Sequence, residues 1–252
     1  MADSSLTEVI FPEGMISVGE WAFSKCRNLE RVTFRGSYAP GMIKAGAFDG
    51  CTGLRMMEFA GKSSDTGYLL GAAVSALKSP GLIRMDDIGE TSWFAKWDLS
   101  LKICLEADET EAGISAALCG EEDISYDGIG SIDGEMPGES GDFVKEAAID
   151  KCLLCYLRLE HDEGLSDNFR KYICDYIKTH DFDSEDKYAW ITLKEKAGDN
   201  TAYYILYLDV VCPDKETWGR MIEDLGSEHV AVKSFLIRKC SDASSALDDL
   251  FL

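Results

Sequence analysis

The chain has 252 residues, enough for one large domain or two ordinary ones, and its 46% apolar content can supply a sizeable core. A net charge of −21, from 25 basic and 46 acidic residues, repels a phosphate backbone, so nucleic acid is not an expected partner. No window approaches 18 uncharged apolar residues, which excludes a membrane-spanning helix, and Met1 to Ser5 lack the pattern of a secretory signal.

Nine cysteines, an odd number, lie mostly in apolar periodic segments, where a thiol packs as a small hydrophobe. That usage suits a reducing compartment, so the expected location is cytoplasmic. The charge is unevenly spread. Residues 1–62 hold seven basic and seven acidic side chains and are neutral, leaving 18 basic and 39 acidic for the other 190. Between Lys102 and Lys145 no basic residue occurs, against twelve acids from Glu106 to Asp142. Such a run is a solvated face or a docking surface for a basic partner.

An internal repeat opens the chain. Val18, Ala22, Phe23, Cys26 and Leu29 recur 25 positions later as Ile43, Ala47, Phe48, Cys51 and Leu54. Val9-Ile10-Phe11, Val32-Thr33-Phe34 and Met57-Glu58-Phe59 predict three short strands by alternation. Stacked coils would place Phe23, Cys26 and Leu29 beneath Phe48, Cys51 and Leu54, so these six are core residues and the two cysteines are steric fillers. The outward strand positions Thr33 and Glu58, with Arg31 and Arg35 flanking, are the expected contact surface.

This pattern resembles the BspA-type leucine-rich repeat: an apolar residue, Gly, two variable or Ala positions, Ala-Phe, a small residue, Cys, then Leu three further on. Both copies fit over about residues 6–62, except that Lys44 replaces the glycine of the second. The resemblance implies a solenoid that recognises other proteins through an exposed strand face. Long arrays are usual in that family, whereas two coils and a third strand are present here. A fragment so short cannot bury its own ends, and the helical half is the expected cap. The N-terminal edge stays open, inviting a partner or a second copy.

Residues 63–89 read as a junction, with an apolar Tyr68–Leu77 run followed by Ser79-Pro80-Gly81. Beyond it, residues 90–252 read as an acidic all-α domain. Trp93, Trp97, Leu101, Cys104 and Leu105 recur at helical spacing behind Thr91-Ser92. Residues 120–141, with six Gly and one Pro, read as an acidic loop rich in hard oxygen ligands for calcium. Asp142 is then expected to cap a buried helix to about Leu159. Ser166 should cap the next, striped by Phe169, Tyr172, Ile173, Tyr176 and Ile177. Ser184, Asn200, Asp214 and Ser227 look like further caps, and Gly198 and Gly226 like helix stops. This half is similar to the helical region that follows such repeats in some uncharacterised bacterial proteins, on Trp97-Asp98-Leu99-Ser100-Leu101, Cys119 to Asp123, Leu157-Arg158-Leu159 and Gly164-Leu165-Ser166.

Chemistry-bearing motifs are sparse. His161, His180 and His229 fall near predicted helix ends, where solvated or dipole-compensating roles are expected. Cys152-Leu153-Leu154-Cys155 lies mid-helix between leucines, unlike an exposed redox pair. Ser75-Ala76-Leu77-Lys78 lacks the companion elements of its chemistry, and Asp181–Glu185 begins a calcium loop that lacks Gly at 186 and Glu at 192. No metal ligand set and no cofactor are expected.

The resulting expectation is an α+β protein, a leucine-rich-repeat β-solenoid fragment of about two coils packed on an all-α helical domain. Its expected function is non-enzymatic protein–protein interaction, with another protein as partner. Two alternatives remain: a structural module that homodimerises through the N-terminal coil, and an enzyme with a site in the helical domain or junction using acids and Cys155 or Cys119.

Overall fold

The computed structural model describes residues 5–107, 140–227 and 229–248. Cys119 and the stretch 120–139 lie outside them; Ser140 and Gly141, read above as the end of a loop, already belong to a helix. The chain divides into two compact units, Met1–Leu105 with Leu154–Ile173, and Glu106–Leu153 with Cys174–Leu252.

The first unit is built on three parallel strands, β1 (Glu8–Phe11), β2 (Arg31–Phe34) and β3 (Met56–Phe59), in that spatial order. The register sets Val9, Val32 and Met57 side by side, then Phe11, Phe34 and Phe59. The phenylalanines stack, with centroids 4.7 Å apart between Phe11 and Phe34 and 4.3 Å between Phe34 and Phe59. Phe23 and Phe48 form a second stack at 5.3 Å. Backbone bonds tie the coils between the strands, from Val18 N–H to Met42 C=O at 2.7 Å and from Phe23 N–H to Ala47 C=O at 2.8 Å. A short repeat thereby satisfies its buried amides by lending each to the next coil.

Helix α1 (Ser64–Ser75) closes the ladder against β3. Ser63 caps it, its side chain accepting from Thr66 N–H. Gly67 and Gly71, one helical turn apart, let the helix lie directly on the strand. A Cβ at Gly71 would sit 2.4 Å from the Arg55 carbonyl carbon. The cap is therefore a helix inside the 63–89 stretch, nearer than the region beyond residue 90 that the sequence suggested. After a 3-10 turn (Pro80–Arg84), helix α2 (Thr91–Glu106) packs behind it. Trp97 donates to the Leu69 carbonyl at 2.9 Å and Trp93 to that of Leu82 at 3.0 Å, so both buried indoles are satisfied.

Helix α3 (Ser140–Glu160) is divided between the units, as is α4 (Asp167–Thr179). Asp142 falls inside α3 and is not its cap, because the helix is already formed at Ser140. Near the end of α3, Arg158 is fully buried. Its Nε donates to Asp98 at 2.6 Å, and Nη1 and Nη2 reach the carbonyls of His161 and Glu163. The guanidinium also lies 5.7 Å from the Phe94 ring centroid. Burial pushes the Asp98 carboxyl up, while the hydrogen bond and charge of Arg158 oppose that rise. The 160–166 segment is thus sewn down: His161 stacks on Tyr68 at 4.3 Å and pairs with Asp65 at 3.2 Å, and Glu163 bonds Ser63. His161 is buried just past the end of α3, so of the two roles expected for it the solvated one does not apply.

In the second unit, α5 (Tyr188–Thr192) runs into a π turn (Leu193–Ala197), followed by α6 (Thr201–Val211), α7 (Lys215–Asp224) and α8 (Val230–Asp248). Asn200 and Asp214 cap α6 and α7 through Ala202 and Thr217 N–H, and Ser166 receives Phe169 N–H at the start of α4. Ser184 is not a helix cap. Asp181 folds 181–184 into a turn, and left-handed Lys187 (φ +53) precedes the helix, which starts three residues later than expected.

Gly71→Ala should destabilise by about 1–3 kcal/mol through overpacking against β3. Asp98→Ala should cost about 3–5 kcal/mol by stranding the Arg158 charge, both read from urea unfolding. The acid limb should carry a separate signature. The Thr217 N–H bond holds Asp214 below the usual carboxylate range. Its contribution is therefore complete above the unfolded value of 3.8 and lost as pH falls through the depressed one. Replacing it with Ala should flatten that part of a pH–stability curve.

Candidate strand-face site

The four expected contact residues converge. In the β2–β3 register Thr33 lies opposite Glu58, and both point away from the Phe ladder. Thr33 Oγ1 donates to Glu58 Oε2 at 3.2 Å, and Arg31 Nη1 lies 3.5 Å from the same oxygen. Arg31 also reaches Met56 Sδ at 2.9 Å. Arg35 follows β2, its backbone N–H donating to the Phe11 carbonyl at 3.0 Å while its side chain stays exposed. These bonds order the outward row before any partner arrives. Since the ion pair is well exposed, its weight lies in orientation more than stability.

A cavity of about 320 Å³ opens beside the row, lined by Thr33, Arg35 and Glu58 with Lys62, Ser63 and Ser64. The last three polar residues were not singled out in the sequence. Ser63 ahead of an apolar run was the available signal, a cap that brings the start of α1 to the end of β3. Lys62 pairs with Glu90 at 3.7 Å, leaving a mixed rim of both charge signs. Such a cavity admits a side chain of a docking polypeptide, with polar groups on the rim to orient it.

Cys26, Leu29, Phe48, Cys51 and Leu54 are buried, and Phe23 is half-buried. Cys51 Sγ donates to the Phe23 carbonyl at 3.1 Å. Burial pushes its thiol up to about 11, against a backbone hydrogen bond from Cys26 that lowers it, so little thiolate exists at neutral pH. Cys152 and Cys155 are fully buried within α3. Among the described residues no group of three or more His, Cys, Asp or Glu is placed to hold a metal ion, and no helix is long and apolar enough to cross a membrane.

Comparison with protein families matches residues 2–70 to the BspA type leucine rich repeat region, described in six copies. The N-terminal segment is therefore a BspA-type repeat, and the matched stretch runs past β3 into α1. Comparisons with curated proteins and with solved structures give no match. Repeats of this type suggest a protein-binding module.

Timed alkylation of the folded chain followed by peptide mapping should label Cys212, which is exposed, first. Cys26, Cys51, Cys152 and Cys155 should react only on unfolding.

Proposed function

We propose that the protein is a non-enzymatic binding module that docks another protein on the outward face of β2 and β3, through Arg31, Thr33, Arg35 and Glu58. The observation that carries this reading is the pre-ordered row itself. Three polar side chains from two strands, Arg31, Thr33 and Glu58, are held by mutual bonds beside a cavity of side-chain size that Arg35 helps to line. Docking onto such a surface loses little side-chain freedom, which favours affinity. The residue types are those of the rim of a protein interface, with Arg able to engage carboxylates or carbonyls in a fork. The partner is a polypeptide, not a nucleic acid, given the chain's net charge of −21. Buried thiols in the repeat suit work in the cytoplasm.

The full chain is the proper reagent, because the repeat shares one compact unit with α1 and α2. Wild type and Thr33→Arg/Glu58→Arg should be compared as baits in source-cell lysate, with Ile103→Lys on α2 as control. The expected result is a captured protein whose binding weakens at least about tenfold with the double variant and persists with the control. Equal capture by all three baits would remove the strand face from consideration.

A further inference from the structure

The ladder ends differently at its two sides. Against α1 it is closed. At the first coil Val9, Phe11 and Phe23 are only half-buried, whereas the matching Val32, Phe34 and Phe48 are at most 2% exposed. Beside them Ile10 is 50% exposed and Ile16 89%. Trp21 has φ +57 at the place where the second coil has Gly46 at φ +66. Its indole packs against Gly46, so Trp21 belongs to the side of the second coil and not to the open end.

β1 is also an edge. The Thr7 and Phe11 carbonyls accept bonds from Arg31 and Arg35 on the β2 side. By strand alternation the N–H and C=O of Ile10 point the other way, to the open edge. An apolar coil end beside a strand that is unpaired among the described residues is a surface suited to another strand.

We propose that this end pairs with the same end of a second copy of the chain, forming a closed two-fold dimer. Charge selects this occupant. Two molecules of net charge −21 repel through most of their surfaces, but residues 1–62 carry seven charges of each sign and meet without that penalty. Topology makes the pairing isologous. The far end of the ladder lies under α1, so head-to-tail growth is blocked and only like ends can meet.

Geometry then fixes the register. To keep Val9 and Phe11 of both copies on the inner face, the two-fold axis must stand perpendicular to the sheet, which makes the paired strands antiparallel. Centring the axis on Ile10 sets Ile10 against its symmetry mate, with both N–H···O=C bonds exchanged, and Val9 against Phe11. Every contact in that row is apolar, and no Glu8 meets a Glu8. Pro12 faces the same edge and has no N–H, so the outer Glu8–Pro12 pairs keep only the bond from Glu8 N–H to the Pro12 carbonyl, and the ladder ends there. The product is one six-stranded sheet. This inference does not rest on the strand-face reading, since it concerns the free edge of β1 and not the row on β2 and β3.

Light scattering across a dilution series of the 252-residue chain tests it, with circular dichroism to verify folding. Wild type should reach twice its 27.8 kDa mass when concentrated and dissociate on dilution. Ile10→Lys puts two ammonium groups at the axis and should weaken the dimer at least about tenfold. Ile103→Lys, at an exposed apolar site on α2, should change nothing. A chain that stays monomeric at every concentration, or a dimer that survives Ile10→Lys unchanged, overturns the proposal.

Discussion

A stacked coil satisfies its backbone and apolar side chains only through neighbours, and two coils have two ends. That constraint organises the first unit. At β3 it is met by laying a helix on the strand, and the helix can come close enough only because Gly67 and Gly71 remove two side chains from the contact. The cost of glycine in a helix, about 1 kcal/mol each relative to Ala, is offset by the tight packing it permits. At β1 the same constraint is left unmet within the described residues. The first unit therefore carries one finished end and one unfinished one.

The capping helix needs support in turn. Its N-terminus is held by Ser63 from within and by the carboxylate of Glu163 from the segment after α3, a placement that also suits the helix dipole. That segment is held by Arg158, whose guanidinium ties two of its carbonyls to Asp98 on α2. The chain of dependence runs from a buried cation through a loop to the helix, and from the helix to the strand that bears Glu58. The outward face of β2 and β3 is as rigid as this sequence of contacts allows.

Legibility in the sequence followed the range of the interaction. The 25-residue recurrence exposed the ladder, its inward phenylalanines and cysteines, and the outward row of Thr33 and Glu58, because a repeat prints its packing at fixed spacing. The stripes of α2 and α4 and the caps at Asn200 and Asp214 were readable for the same local reason. The helix over 64–75 was hidden. Its glycines lower helix propensity, and its apolar residues cover most of its circumference because both strand and helix pack on it. The Arg158–Asp98 pair spans 60 positions and leaves no periodic trace. His161 looked like a solvated helix end because nothing local announces Tyr68 and Asp65.

The second coil places Gly46 and Gly50 at its two left-handed positions, while the first places Trp21 and Lys25 there. The second coil can thus adopt its turns with little steric resistance. The first coil therefore carries backbone strain at two turns where the second carries none, and the strain sits at the edge that has fewest neighbours to hold it.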